Sequence, residues 1–332
     1  MQPLAVSRTG APPIISVAPM MDVTDRHCRF FLRQLSPAAL LYTEMVTAQA
    51  ILRGDRQRLL AFDPVEHPVA LQLGGHDPQE LAEAARIGAA FGYDQINLNV
   101  GCPSDRVKAG RFGACLMLEP QVVAEAVAAM RAAVDIPVTV KSRIGVDDQE
   151  GYEFLAAFVE RVAAAGCTTF IVHARKALLS GLSPKENRTI PPLRYEVVHA
   201  LKRAMPELTV ILNGGIATLD AVAEALGQVD GVMLGRKISE DPYFLASLHR
   251  CFVDPAWDPP DRASVVQHMH EYAVRVVETG SRVHHVTRAM LGLYRGEPAG
   301  RSWRRFLSER VCRPDATPGL LLDSLRAVGA AN

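Results

Sequence analysis

Thr209-Val210-Ile211-Leu212-Asn213-Gly214-Gly215-Ile216 is followed, after the Ala/Leu-rich run 219–226, by Gly231-Val232-Met233-Leu234-Gly235-Arg236. Each apolar run reads as a strand buried on both faces, and the segment between them has helical composition. Such a strand–helix–strand unit demands a parallel pair and a right-handed crossover. Working outward, the unit recurs. Apolar runs predict further strands over 15–19, 40–43, 69–73, 95–99, 138–141 and 169–173, and helical runs fall at 78–91, 120–134 and 151–165. Asp77-Pro78 opens the first of these helices, with a capping side chain and then proline in the first turn. Eight such strands in succession close a (β/α)8 TIM barrel. An open doubly wound sheet is the competing fold, but no GxGxxG turn follows the first strand.

With 332 residues the chain exceeds the roughly 250 of one barrel, so the predicted class is α/β, a TIM barrel followed by a small C-terminal helical bundle. The expected division is a barrel over 1–250, a linker over 251–261 and a helical unit over 262–332, with residues 1–13 as a loose lead-in. Helices are expected at 264–278, 284–294, 302–311 and 320–328, with Val265, Met269, Tyr272 and Val276 as ordinary bundle core. A hydrophobic share of 48% and a charged share of 22% are those of a soluble globular protein. No run approaches the roughly 20 apolar residues of a membrane span, and no signal-peptide pattern opens the chain. Six cysteines occur in no metal-ligand spacing, which points to a cytoplasmic protein with reduced thiols and no structural metal.

Basic and acidic residues balance at 36 each, but not locally. Between Ser281 and Arg313 stand eight arginines, opposed only by Glu297 and Glu309. The patch is either a surface for a phosphate-rich partner or a solvated helical face.

Polar residues mark the C-terminal ends of the eight strands: Met20 and Met21, Thr43 and Glu44, Gln72, Asn97 with Asn99, Lys141 with Arg143, His173 with Arg175, Asn213-Gly214-Gly215, and Gly235-Arg236. Barrel active sites lie on that rim. Glycines after the seventh and eighth strands let backbone N–H groups approach an anion, Arg236 adds charge, and this is the usual phosphate position of such barrels. Lys141 ends an apolar strand and needs an anionic partner, which the N1–C2=O edge of a reduced flavin supplies. Gln72 offers donor and acceptor to a ring edge, and Met20 and Met21 either pack against a ring or serve as core. Together these groups fit FMN. Cys102, between Gly101 and Pro103 on the loop after the fourth strand, is placed to act as a general acid.

Ala18-Pro19-Met20 with Thr24-Asp25, Leu98-Asn99-Val100-Gly101-Cys102-Pro103-Ser104, His173-Ala174-Arg175, Asn213-Gly214-Gly215-Ile216 and Leu234-Gly235-Arg236 resemble the tRNA-dihydrouridine synthases over almost the whole chain. The stretch from Gly181 to Leu193 and Arg301-Ser302-Trp303-Arg304-Arg305 look like the A subfamily, which acts on uridines 20 and 20a of the D loop. The resemblance implies FMN contacts from Pro19, Met20, Met21, Gln72, Lys141, His173, Asn213, Gly214, Gly215, Gly235 and Arg236. It implies NADPH as reductant, hydride transfer to C6 of uracil and protonation of C5 by Cys102. Asn97 and Arg143 are expected at the base and Asn99 at the tRNA. Lys185, Arg188, Arg301 and Arg304 are expected to contact the tRNA, with the protein a monomer. Two rivals stand beside this reading: a flavin barrel acting on a free pyrimidine, like a dihydroorotate dehydrogenase, and a non-catalytic RNA-binding protein.

Overall fold

A computed structural model describes residues 12–313 and 315–329; most of the expected lead-in lies outside them. Nine parallel strands form one sheet: β1 (Ile14–Val17), β2 (Leu40–Tyr42), β3 (Val46–Thr47), β4 (Val69–Gly74), β5 (Gln95–Val100), β6 (Val138–Arg143), β7 (Thr169–His173), β8 (Thr209–Asn213) and β9 (Gly231–Leu234). β3 is a two-residue addition beside the end of β4. The other eight close a barrel, because β1 pairs with β9 as well as β2, and β2 pairs directly with β4. The fold is a (β/α)8 barrel with further helices at the C-terminus.

Strand pleating sorts the side chains into two cores. Val138 and Val140 of β6, Leu71 and Leu73 of β4, and Val210 and Leu212 of β8 pack outward against the helices. The opposite parity fills the barrel with Tyr42, Ala70, Ile171, Ile211 and Met233. The same inward parity, two residues further along, brings Gln72, Lys141, His173 and Asn213 to the mouth. Connecting helices follow the expected signals. Pro78–Phe91 is capped by Asp77, which accepts from the N–H groups of Gln79 and Glu80, and ends at Gly92 with φ +99°.

Helix Arg26–Leu35, absent from the expected helical runs, carries two buried arginines on its core side. Arg29 pairs with Glu66 at 2.6 Å and donates to Thr24 O at 2.8 Å. Arg33 satisfies the carbonyls of Ser36, Ala39, Glu66 and Pro68 at 2.7–3.0 Å. These cations fasten the turn after β1 to the segment before β4.

The C-terminal helices run over Arg262–Glu278, Val283–Thr287, Gly300–Arg310 and Leu320–Gly329. The single helix expected over 284–294 is instead an α-turn followed by a 3-10 stretch, Arg288–Gly292. Close packing accounts for the change: a Cβ on Gly292 would sit 2.5 Å from the carbonyl of Glu240. These helices share one apolar core with the barrel. Tyr272 stacks on Phe30 at 3.9 Å and bonds His27 at 2.7 Å, while Arg288 pairs with Asp25 and Arg295 with Glu240. Two of the eight patch arginines are thus engaged by the barrel. The segment joining the two parts is also held, through Trp257 against His249 and Tyr243 donating to Pro260 O. Among the described residues, no helix is long and apolar enough to cross a membrane, and no cluster of His, Cys, Asp or Glu could hold a metal.

Candidate active site

A chain of side-chain amides crosses the mouth. Gln72 Nε2 donates to Asn97 Oδ1, and Asn99 Nδ2 donates to Gln72 Oε1, both at 2.8 Å. Asn97 Nδ2 donates in turn to Thr139 Oγ1 at 2.9 Å. Asn99 Oδ1 accepts from the N–H groups of Gly101 and Cys102 at 3.1 and 3.0 Å. Asn97 is fully buried with both ends of its amide engaged, and orients Gln72 from below. Asn99, 9% exposed, clamps the turn that carries Cys102. Thr43, one of the expected rim residues, accepts from Gln72 N at 3.0 Å, and Thr139, which was not singled out from sequence, completes the network.

Cys102 is half-buried, while Cys28 and Cys167 are buried, and all six cysteines are free thiols. Burial pushes the Cys167 thiol up to about 12 and that of Cys28 higher still, which makes both inert. The Cys102 carbonyl accepts from Ala114 N at 2.9 Å, and a Cβ on Gly113, at φ +76°, would come within 2.5 Å of that carbonyl. The thiol's own contact is a 3.5 Å approach to Ser104 Oγ. Its loop is therefore fixed by main-chain bonds, leaving the sulfur available for chemistry.

Beside this loop lies a concentration of positive charge, which touches it where Arg143 donates to Gly101 O. Burial and then Arg143 push the Lys141 ammonium down to about 7, and burial lowers Arg143 to about 10. Burial, reinforced by Arg143, Lys141, Arg175 and Arg236, drives His173 well below its usual value. Arg175 and Arg188 are lowered too, first by burial and then by Arg236. Among the described residues, no carboxylate is a leading influence on any of the five. Arg175 Nε is a buried donor with no partner among the described residues. Cations held together at such cost, with a donor left over, define an anion site.

The glycines complete a cradle. Gly214 (φ +115°) admits no side chain, since a Cβ would lie 2.6 Å from His173, and one on Gly215 (φ +72°) would lie 2.4 Å from Leu193. Asn213 Nδ2 donates to Met233 O at 2.7 Å, locking β8 to β9 beneath the turn. Across from it, the Met20 turn is closed by Thr24, whose Oγ1 accepts from Met20 N at 3.0 Å. Met20 is half-buried beside Gly235, whereas Met21 is 55% exposed and therefore not core. A flat ligand bearing a phosphate and an electron-rich edge fits these residues.

The loop after β7 folds over one side of the mouth. Lys185 and Arg188 are exposed on it, as are Arg301 and Arg304 on helix Gly300–Arg310, and none of the four has an ion-pair partner among the described residues. Arg143 donates to Gly101 O, Lys176 O and Asn187 O at 2.8–3.0 Å; none of these bonds uses its Nη2. Arg175 donates to Thr189 O and Pro191 O, and Arg236 to Arg188 O. Asn187, fully buried between two exposed cations, is the loop residue that sequence reasoning passed over.

A (β/α)8 barrel with a fixed thiol beside an anion-binding cradle at its C-terminal rim is an enzyme of the barrel class. The chain belongs to the dihydrouridine synthase family, whose model, described as "Dihydrouridine synthase (Dus)", matches residues 16–326. Forming dihydrouridine from uridine adds two hydrogens, so the protein is an oxidoreductase. It is 56% identical over 313 residues to the tRNA-dihydrouridine(20/20a) synthase of Synechocystis sp., covering 94% of each chain. The protein of that name from Salmonella typhi is 52% identical over 329 residues, covering 99% of each. Two solved structures share the fold. A 2-naphthoyl-CoA reductase complexed with 2-naphthoyl-CoA has a TM-score of 0.55 at 12% identity, over 70% of this chain and 49% of that one. An old yellow enzyme homologue from Zymomonas mobilis has a TM-score of 0.52 at 13% identity, over 73% and 89%.

Proposed function

We propose that this chain reduces the C5–C6 double bond of uridine 20 or 20a in the tRNA D loop, using FMN and NADPH, as a cytoplasmic monomer. The observation that carries the reading is the pairing at the mouth of a backbone-fixed Cys102 with a cluster of Lys141, Arg143, His173, Arg175 and Arg236 that has no carboxylate partner among the described residues. Pro19, Met20 and Met21 would flank a flavin ring, Gln72, Lys141 and His173 its polar edge, and Asn213, Gly214, Gly215, Gly235 and Arg236 its phosphate. These residues would hold FMN, which, reduced by NADPH, would supply a hydride for C6 of the uracil. Cys102 then gives its proton to C5 and is reprotonated from solvent. Arg143 holds the thiol loop through Gly101 O and keeps Nη2 for the base.

Reaching a base inside folded RNA costs roughly a few kcal/mol, recovered through backbone contacts. Lys185 and Arg188 on the barrel, with Arg301 and Arg304 on the C-terminal unit, supply them. A free-pyrimidine reductase would need none of these. Deleting 262–332 cannot separate the two readings, because that segment shares the barrel's core. Charge reversal at Arg301 and Arg304 does: it should raise KM for tRNA and leave NADPH oxidation alone. The purified protein should be yellow, bleach with NADPH and recover its colour on adding undermodified tRNA. Protein that stays colourless after reconstitution with FMN defeats the reductase reading.

Lys141 makes ligand binding pH-dependent. Free lysine titrates near 10.5 and this one near 7, so between those values the unfolded chain binds the extra proton. Without ligand, this group therefore makes stability rise with pH across that window. A bound anion restores the charge, so FMN binding at pH 8 should take up a proton and weaken by up to about tenfold per pH unit above 7. Fluorescence titrations from pH 7 to 9 should show that slope, and Lys141→Met should flatten it. An unchanged slope in the variant assigns the proton elsewhere.

A further inference from the structure

We propose that Asn187 is a positioning residue for Cys102, acting through Arg143, so that the RNA-facing loop and the acid move as one unit. This rests on the reading above, in which Cys102 is the proton donor and Lys185 and Arg188 meet the tRNA.

Asn187 lies between those two exposed cations and is itself fully buried. Its Oδ1 accepts from Leu178 N at 2.8 Å, and its Nδ2 donates to the carbonyls of Leu178, Leu182 and Ser183 at 2.9–3.4 Å. Its backbone N–H donates to Ser183 O at 2.9 Å. One amide thus ties the outgoing limb of the loop to the returning limb. Its main-chain carbonyl accepts from Arg143 Nη1 at 2.8 Å, and the same nitrogen reaches Lys176 O at 3.0 Å. From the other side of the guanidinium, Nε donates to Gly101 O at 3.0 Å, one residue before the thiol.

Arg143 is 3% exposed and, among the described residues, has no carboxylate partner. Its protein acceptors are these three carbonyls, and two belong to the loop that Asn187 folds. If that loop opens, a buried guanidinium is left with one acceptor, a costly state that is relieved only if the side chain moves. Gly101 is bonded to it and must follow. The loop has two self-consistent arrangements: closed with Arg143 docked and the thiol aligned, or open with both released. RNA phosphates held by Lys185 and Arg188 favour the closed one.

The test uses full-length, FMN-loaded enzyme carrying Asn187→Ala or Asn187→Asp. The aspartate keeps the acceptor for Leu178 N–H and the shape of the side chain, but loses every donor. Both should lower kcat for dihydrouridine formation about 10- to 100-fold, as a misplacement of roughly 1 Å does, with NADPH reduction of the flavin unchanged. Cys102 alkylation by iodoacetamide, followed by peptide mapping, should change several-fold relative to exposed Cys312 in the same sample. Lys185→Ala, by contrast, should raise KM and leave the alkylation rate alone. Unchanged alkylation and kcat in folded variants, or a loss confined to KM, overturns the proposal. Should neither variant fold, hydrogen exchange on the wild type decides: undermodified tRNA should protect the amides of Leu178 and Cys102 together, and protection of Leu178 alone overturns the coupling. Wild-type enzyme that forms no dihydrouridine would sink the proposed function, while the alkylation result would still report the strut.

Discussion

Cys102→Ala should lower the rate of dihydrouridine formation by about 10²- to 10⁴-fold, the usual contribution of a positioned general acid. The flavin spectrum and its bleaching by NADPH should be unchanged. The separation follows from how the loop is built. Its shape depends on Asn99 Oδ1 holding the amides of Gly101 and Cys102, and on Ala114 N meeting the Cys102 carbonyl. None of these bonds involves the sulfur, whose one hydrogen bond among the described residues is the long approach to Ser104. Removing the thiol therefore takes away the proton and little else. Asn99→Ala should mimic part of the loss by freeing the loop, but it also strips Gln72 Oε1 of its donor and should disturb flavin binding. Single-turnover assays with undermodified tRNA and pre-reduced enzyme separate the chemical step from cofactor reduction. A Cys102→Ala rate within a few-fold of wild type would mean that solvent protonates C5 directly.

Much of the site was legible because pleating is periodic. Once 138–141 is read as a strand, Lys141 must face either the helices or the barrel interior, and only the mouth tolerates an ammonium. The same parity places Gln72, His173 and Asn213. Glycine at 214 and 215 was readable because a rim turn that must admit an anion excludes side chains. Helix Arg26–Leu35 is readable from Cys28, Phe31, Leu32 and Leu35 at helical spacing; what that pattern does not show is that Arg29 and Arg33 are buried beside them. Their burial is explained by Glu66 and by carbonyls both near in the chain, Thr24, Ser36 and Ala39, and distant in it, Glu66 and Pro68. Asn187 was hidden for a related reason: side-chain bonds to loop carbonyls leave no spacing in the sequence. Charge counting overreached in the C-terminal segment, where Arg288 and Arg295 bind the barrel's own carboxylates.

Glu66→Ala should cost about 3–5 kcal/mol of stability, the usual penalty for removing one partner of a buried pair. Glu66 has no exposure and Arg29 only 5% on its side chain, and they meet at 2.6 Å. Without the carboxylate, Arg29 keeps Thr24 O as its neighbour but has nothing to neutralise its charge. The loss is large against a typical total of about 5–15 kcal/mol and should appear as an earlier urea midpoint at nearly constant slope. Glu66→Gln keeps one oxygen, for either Asp63 N or Arg29, and turns an NH2 toward the other donor, so it should recover only part of the loss. The exposed pair Glu83–Arg86 is the control: its side chains are 41% and 60% exposed, and Glu83→Ala should leave the midpoint where it is. The damage from Glu66→Ala should also reach the active site. Thr24 links Arg29 to the Met20 turn, through its carbonyl on one side and its hydroxyl on the other. Flavin retention should therefore fall in the folded variant, with no residue of the mouth altered. A midpoint within about 1 kcal/mol of wild type would mean that water enters and solvates Arg29 in place of the carboxylate. In that case the β1 turn is held by its own hydrogen bonds and owes little to the buried pair.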